Sequence, residues 1–405
     1  VGGTDASSYG ANTTTLASAI KTKWETDLLA KAEGMLVANK FAVSKVMGRG
    51  AGGTLRINRL LRPANVTSAD TEGYLYDYDD AKQLTSNYLD LTPESWGDSF
   101  GFTAEGGIQS FIKDSDNQHE IAGQMARSLE YQLMKTMCTG CLRHLIDKDA
   151  TMQVSGTADS GDTTSLIDDA LTQSDDAWNG GFLTIVNPGG PNYDTTRQVV
   201  NFTASSDDVD FTGRAFNHAM TDESKYRMSV GTNLTSSDIL TITGLLDCAA
   251  LHRKLETPKF SGGVYRAFID AAQERDLNDD STFTTSASYD NSQRYENYRL
   301  GRWLDIEFFV GSEIYRESVA GVEGIGTGAV YVAPIFGPKS YAAVRWGQGQ
   351  GDFGVKFHYV DEADSGNLRN NMSWISWSSR HARGVLRATS IIGLMTGATS
   401  LNVVI

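Results

Sequence analysis

The sequence predicts an α+β fold, and three observations lead there. Apolar residues recur at helical spacing in a few long stretches, and they alternate at a period of two in many short ones. The two patterns do not succeed one another in regular strand–helix–strand order, which argues against a doubly wound sheet. At 405 residues the chain exceeds one ordinary core, so two or three domains are expected.

The first element is a helix. "TTTLASAIKTKWETDLLAKAEGMLVANKFAV" places Leu16, Ile20, Trp24, Leu28, Leu29, Ala32, Met35 and Leu36 three or four apart, with threonine available as a cap. "GRGAGG" at 48–53 ends it, and the small-residue arm before it is expected to order only against a neighbour. From Thr54 the period becomes two: "TLRINRLLRP", "EGYLYDYDD" and "TSNYLDLTPESWGDSFGFT" read as extended runs. Residues 50–103 therefore form a polar, aromatic β-excursion with too little core material to stand alone.

"HEIAGQMARSLEYQLMKTMCTGCLRHLID" follows, with Ile121, Met125, Leu129, Leu133, Met137, Cys141, Leu142 and Leu145 near one face and no proline. As a single helix it would be a spine roughly 40 Å long, at 1.5 Å per residue. Residues 151–231 differ in composition, with 12 Asp or Glu against 4 Lys or Arg. Strand signals at "GGFLTIVNPGG", "RQVVNFTAS", "DVDFTG" and "KYRMSV" make this a small acidic β-domain inserted after the spine.

Helical periodicity returns in "SSDILTITGLLDCAALHRKLE", with Ser236 or Ser237 as cap. "GGVYRAFIDAAQERDL" reads as a strand and a short helix, and "GAVYVAPIFGPKSYAAVRW" as strands with a short helix. "FGVKFHYVDE", "SWISWSSRHARGVLRA" and "SIIGLM" close the chain as strands. The division is 1–49 arm and helix, 50–103 extended loop, 104–150 spine region, 151–231 insertion and 232–405 the remainder.

Composition excludes several classes. A formal charge of −15 is the reverse of what tight binding to phosphate backbones requires. Three cysteines imply no disulfide framework. No signal peptide and no apolar run of about 20 residues is visible, so a soluble protein made in a reducing cytoplasm, without membrane contact, is the expectation. Val1 is compatible with loss of an initiator Met or with cleavage of a prosegment.

The candidate chemistry is thin. Cys138, Cys141 and His144 could supply three zinc ligands. No second pair follows, and thiols near a helix C-terminus are disfavoured as thiolates, so packing is the preferred reading. Cys248 and His252 are read the same way. Gly324, Gly326 and Gly328 precede a strand rather than a helix, against a dinucleotide loop. The acidic runs Asp207, Asp208, Asp210 and Asp276, Asn278, Asp279, Asp280 lack the twelve-residue calcium pattern and read as solvated turns. No catalytic residue, metal or cofactor is assigned. Arg56, Arg59 and Arg62 concentrate positive charge on an acidic chain; they form a solvated strand face or pair with carboxylates of a neighbouring subunit.

The order of arm, helix, β-excursion, spine, insertion and α+β remainder resembles a phage major capsid protein of the Hong Kong 97-like (Johnson) fold. "LLAKAEGMLVANKFA", "TLRINRLLRP", Glu72–Gly73 and "ESWGDSFGFT" are most similar to the coat-protein family of N4-type phages; "GGVYRAFIDAAQERDL" and "VYVAPIFGPKSYAAV" extend the likeness. The resemblance implies an N-arm, an extended loop at 50–103 reaching over an adjacent subunit, a peripheral domain with the spine helix, and an axial domain. It also implies a non-enzymatic shell subunit forming hexamers and pentamers around double-stranded DNA in the virion, assembled in the host cytoplasm. Scaffolding, portal and decoration proteins are the further partners implied. Arg56, Arg59, Arg62, Tyr74, Tyr76 and Tyr78 are the expected inter-subunit contacts. The family has a shorter connection where this chain carries 151–231, and that segment is similar to small β modules of phage structural and tail proteins. The rival readings are a virion tail or adhesion protein with a glycan-binding β module, and a hydrolase using C-terminal acids.

Overall fold

A computed structural model describes residues 37–47, 53–60, 86–103, 114–146, 152–280, 299–317, 330–346, 355–360 and 372–398, except positions 189, 232–233, 236, 304 and 312–313. The chain divides into two compact units. One draws on Val1–Leu55, Leu91–Leu133 and Ala343–Arg383, the other on Arg56–Asp90, Met134–Ala342 and Gly384–Ile405. The helix expected over residues 13–36 lies outside the described residues. Its expected continuation does not form: Ala38–Phe41 make one 3-10 turn, and Val43–Met47 is a strand.

The first unit is organised by the 14-residue strand Met372–Val385. Glu94–Thr103 pairs antiparallel with it along ten positions, from Met372↔Thr103 to His381↔Glu94. Val355–Val360 pairs with it as well, and Tyr341–Trp346 and Val43–Met47 extend the sheet. Thus the last part of the 50–103 stretch, Glu94–Thr103, belongs to this sheet. Trp96 stacks on His381 with ring centroids 5.8 Å apart, and Arg383 lies over the same indole. Burial, then the Arg383 charge, pushes His381 down to about 3, so it packs as a neutral ring.

Helix α1, Asp114–Thr139, contributes Met125, Ala126, Leu129 and Leu133 to this unit's interior. That is the one-faced spacing read from the sequence. Glu130 turns its carboxylate to the 3-10 turn, where Oε1 accepts N–H bonds from Val37 (3.2 Å) and Ala38 (2.6 Å). Oε2 is buried with no hydrogen-bond partner among the described residues. Burial raises this carboxyl to about 7 against the bonds from Ala38 and Val37 and the charge of Lys40.

The helix ends earlier than its sequence suggests. Thr139 bonds back to the Lys135 carbonyl at 2.8 Å, Gly140 follows, and Leu142–Leu145 is a fully buried strand. Cys141, Leu142 and Leu145 are therefore not on the helix. The tertiary reason is a parallel partner: Ile391–Thr396 takes Leu142–Leu145 in register Ile392↔Leu142 to Met395↔Leu145. That pairing replaces the last helical turns.

The second unit holds two seven-stranded sheets. The mixed one runs in the order Arg299–Trp303, Ile306–Val310, Tyr265–Ile269, Val330–Phe336, Ile391–Thr396, Leu142–Leu145, with Arg316–Glu317 beside Val330–Phe336. Helix α2, Ile242–Lys254, packs Leu245, Cys248 and Ala249 against Tyr265, Ala267, Ile335, Ile392 and Leu394. Its cap is Thr241 rather than Ser236 or Ser237. Asp238 closes on Thr235 instead and holds that stretch in a turn before the helix. Helix α3, Ala271–Asp279, follows its strand as expected, with Asp270 and Gln273 in a capping box. No short helix follows Val330–Phe336: Gly337–Ser340 is a tight turn with Lys339 at φ 58°, and Tyr341–Trp346 is a strand.

The insertion forms the other sheet, entirely antiparallel, in the order Gln153–Thr157, Lys225–Ser229, Phe182–Ile185, Thr196–Thr203, Asp208–Thr212, Ser165–Ile167, Ser160–Gly161. Trp178, Leu183, Val199, Phe202, Phe216, Tyr226 and Met228 build a core of its own. It is nonetheless tied to the mixed sheet. Thr196 donates to the Cys141 carbonyl at 3.3 Å, and Arg227 meets His144 Nδ1 at 2.6 Å. The Arg143 guanidinium lies 4.0 Å over the Phe182 ring. Arg143 also makes a bidentate pair with Glu317, at 3.0 and 2.5 Å, both side chains 1% exposed.

Two outcomes follow. Glu317→Ala strands a buried guanidinium and is expected to cost about 3–5 kcal/mol in denaturant unfolding. The double change Arg143→Met, Glu317→Met recovers most of that loss, because removing both charges leaves none uncompensated. For Glu130, the folded value of about 7 stands above the ordinary 4.5, so the folded state holds the extra proton. Its contribution is present below about 4.5 and is lost as pH rises through about 7. Glu130→Gln should flatten the thermal midpoint across that window, and an unchanged slope would disprove the assignment.

Candidate functional site

Leu55–Leu60 pairs with Ser86–Leu91 as a two-stranded ribbon, nearly all of it in the second unit and inside the 50–103 stretch read from the sequence as an extended loop. A ribbon of two strands is marginal by itself, so its anchors matter. Alternation along "SNYLDL" sends Tyr88 and Asp90 to one face, opposite Arg56. Arg56 grips Asp90 through Nε at 2.8 Å and Nη2 at 3.0 Å, and its guanidinium lies 4.0 Å over the Tyr88 ring. Arg214 reaches the same carboxylate at 3.3 Å. The Arg56 hydrogen bond above all, helped by the Arg56 and Arg214 charges, holds the Asp90 carboxyl below its usual range against the opposing effect of burial.

The insertion supplies the other half of the anchor. Gly213, at φ 84°, lets the chain turn out of Asp208–Thr212. Arg214 and Asn217 then come from the loop that follows. Asn217 Nδ2 donates to Asn87 Oδ1 and to the Tyr88 carbonyl. Deeper in, Arg59 Nη1 donates to the carbonyls of Asp194 and Leu386. Asp194 sits in a turn at φ 69°, and its buried Oδ1 accepts from both Thr389 N and Thr389 Oγ1 at 2.6 Å. Arg197 donates to the carbonyls of Thr196 (2.8 Å) and Ala215 (3.2 Å). These bonds hold fixed cations, carbonyls and rings in place.

Of the residues singled out in the sequence, Arg56 and Arg59 come together at this ribbon, engaged by groups of their own chain. Arg56 stays 58% exposed at its side chain, free to share its charge outward. Arg62, Tyr74, Tyr76 and Tyr78 lie outside the described residues, as do Gly324, Gly326 and Gly328. Tyr88, Asp90, Arg197, Arg214, Asn217 and Asp194 were not foreseen. The alternation placing Tyr88 and Asp90 on one face was a readable signal; the approach of Arg214 and Asn217 was not.

The cysteines serve packing. Cys138 Sγ faces the Val332 carbonyl and Cys141 Sγ donates to the Cys138 carbonyl, while His144 turns to Arg227. A Cβ on Gly393 would collide with the Cys141 sulfur, so the bare backbone there makes room for the thiol. Burial pushes Cys141 up to about 11 and Cys138 and Cys248 higher than the usual thiol range. His252 stacks on Tyr265 and bonds the Ile335 carbonyl at 3.0 Å; burial pushes it down to about 3. Among the described residues no three His, Cys, Asp or Glu are grouped to hold a metal ion. No described helix is long and apolar enough to cross a membrane.

No family model and no curated protein matches this sequence. Solved structures do. The chain is similar to one in the capsid asymmetric unit of cyanophage Pam1, with TM-score 0.51 and 9% identity, covering 91% of this chain and 92% of that one. The capsids of cyanophage P-SCSP1u (TM-score 0.49, 9% identity, 90% and 88% covered) and Ralstonia phage GP4 (0.48, 10%, 91% and 90%) are also found. At so low an identity, the Pam1 match shows a shared fold, nearly end to end.

Asp90→Ala tests the anchor. Amide-exchange protection at 56–60 and 87–91 should fall sharply, while the global unfolding midpoint moves little, because exposed ion pairs contribute little to stability. Unchanged protection would mean that the backbone pairing alone holds the ribbon.

Proposed function

We propose that this chain is the major capsid protein of a double-stranded DNA phage, a non-enzymatic subunit of the Hong Kong 97-like type. In this reading it assembles into hexamers and pentamers of an icosahedral head. The observation that carries it is the fold shared with the Pam1 capsid chain over nine-tenths of both chains.

Several features support the reading. The ribbon of Leu55–Leu60 and Ser86–Leu91 is tied to the insertion through Arg214 and Asn217, which supports reading it as the base of the proposed extended loop. Arg62, Tyr74, Tyr76 and Tyr78 belong to the stretch proposed as that loop, and together with Arg56 and Arg59 they are the proposed contacts with neighbouring copies. Arg56, exposed and already paired, would add a partner's carboxylate at little desolvation cost. A charge of −15 suits a container whose wall should not adhere to the DNA inside. Scaffolding, portal and decoration proteins are the partners this role would add, and the virion is its location, after assembly in the host cytoplasm.

Expression of the chain and electron microscopy of the product test the proposal: closed particles or ring-shaped capsomers are expected. Replacing residues 61–85 with a short Gly-Ser bridge keeps the anchored ribbon and should leave a folded protein that no longer assembles. A full-length chain that stays single at high concentration, or a loop-deleted one that assembles at the normal yield, would refute the reading.

A further inference from the structure

Below the ribbon, and within the same unit, lies a cavity of about 250 Å³ lined by Arg59, Arg197 and Arg214. One carboxylate, that of Asp194, is on its lining. Three arginines facing one aspartate is a local surplus of positive charge on a chain whose net charge is −15.

The hydrogen bonds sharpen this imbalance. Asp90 serves Arg214 from the rim, but it is shared with the bidentate grip of Arg56. Asp194 directs Oδ1 to Thr389 and offers Arg59 its backbone carbonyl. Arg197 is held by two carbonyls and lies 5.0 Å over the Phe216 ring. Carbonyl dipoles and a ring face satisfy N–H groups without cancelling charge. The Nε atoms of Arg59 and Arg197 are both buried and have no hydrogen-bond acceptor among the described residues. The Asp194 charge offsets that of Arg59 in part, whereas Arg197 is enclosed with only like charges beside it, which is costly. The same crowding shows in Arg197, which burial, then Arg214 and Arg59, push down to about 10. The volume far exceeds that of a single water, whose share of liquid is roughly 30 Å³.

We infer that this cavity is an oxyanion site, which takes one compact carboxylate or phosphate group between Arg59, Arg197 and Arg214. Planar guanidinium forks set around a polar cavity are the geometry that recognises paired oxygens. Filling the site cancels the surplus charge and fastens the ribbon, through Arg59 and Arg214, to the insertion. The inference does not depend on shell formation. The oxygens can belong to a free anion or to an acidic side chain of a second copy.

The probe is inorganic phosphate, added to the full-length wild-type chain at constant ionic strength with chloride as the reference, read by calorimetry and thermal midpoint. Saturable binding and a rising midpoint are expected with phosphate and not with chloride. Arg197→Met should weaken binding at least tenfold. Should that variant fold poorly, Arg214→Gln, at the rim, should weaken it severalfold. Arg253→Gln, an exposed residue paired with Asp305 elsewhere, should bind as wild type. If phosphate also suppresses self-association in step with occupancy, the native occupant is a carboxylate of a second copy. If association is untouched, it is a free oxyanion. A response to phosphate no different from chloride, or one undiminished in Arg197→Met and Arg214→Gln, overturns the inference.

Discussion

Residues 141–145 are buried, and that enclosure favours partners inside the protein for their polar groups, although Arg143 Nε has none among the described residues. Leu142–Leu145 pairs with Ile391–Thr396 along the mixed sheet. The groups that do not enter this ladder turn elsewhere: the Cys141 carbonyl to Thr196, Arg143 to Glu317 and Phe182, His144 to Arg227, the Leu145 amide to Gln153. Every one of the partners except Glu317 belongs to the insertion. Five residues therefore join the end of α1, the mixed sheet and the inserted sheet. Removing the insertion would leave this seam with unpaired groups in its interior.

The seam also explains why the insertion is more than an appendage with its own core. The core cluster around Trp178, Phe202 and Tyr226 gives it internal cohesion. Asp194 and Arg197 come from the turn and strand beside Thr196, and Arg214 and Asn217 from a loop of the same sheet. The insertion therefore positions the anchor of the ribbon while it closes the seam. This couples the ribbon of Leu55–Leu60 and Ser86–Leu91 to the inserted domain, two parts far apart in sequence. An anion seated among Arg59, Arg197 and Arg214 would tighten the same coupling electrostatically.

Buried ionisable groups here are structural in character. His252 and His381 are neutral rings stacked on aromatic neighbours, and the thiols are packed beneath carbonyls and a bare glycine. Glu130 differs, since its carboxyl is balanced near neutrality where it holds residues 37 and 38.

Much of this was legible from local pattern. The one-faced stripe of α1, the strands of the insertion and the strand–helix step from Tyr265 to Asp279 follow from side-chain periodicity, which the backbone geometry of each element imposes on its own residues. The α+β class followed from their order. What the sequence could not decide was where a local preference yields to a distant partner. Cys141 to Leu145 suit a helix until Ile391–Thr396 offers a parallel ladder, and "SYAAV" suits one until Met372–Val385 takes it as a strand. Arg56 and Arg59 were visible as concentrated charge, but Asp90 at 34 residues' separation and Asp194 at 135 became their partners only through folding. Periodicity is a property of neighbours along the chain, whereas pairing and burial are settled by whichever segments the compact chain brings together.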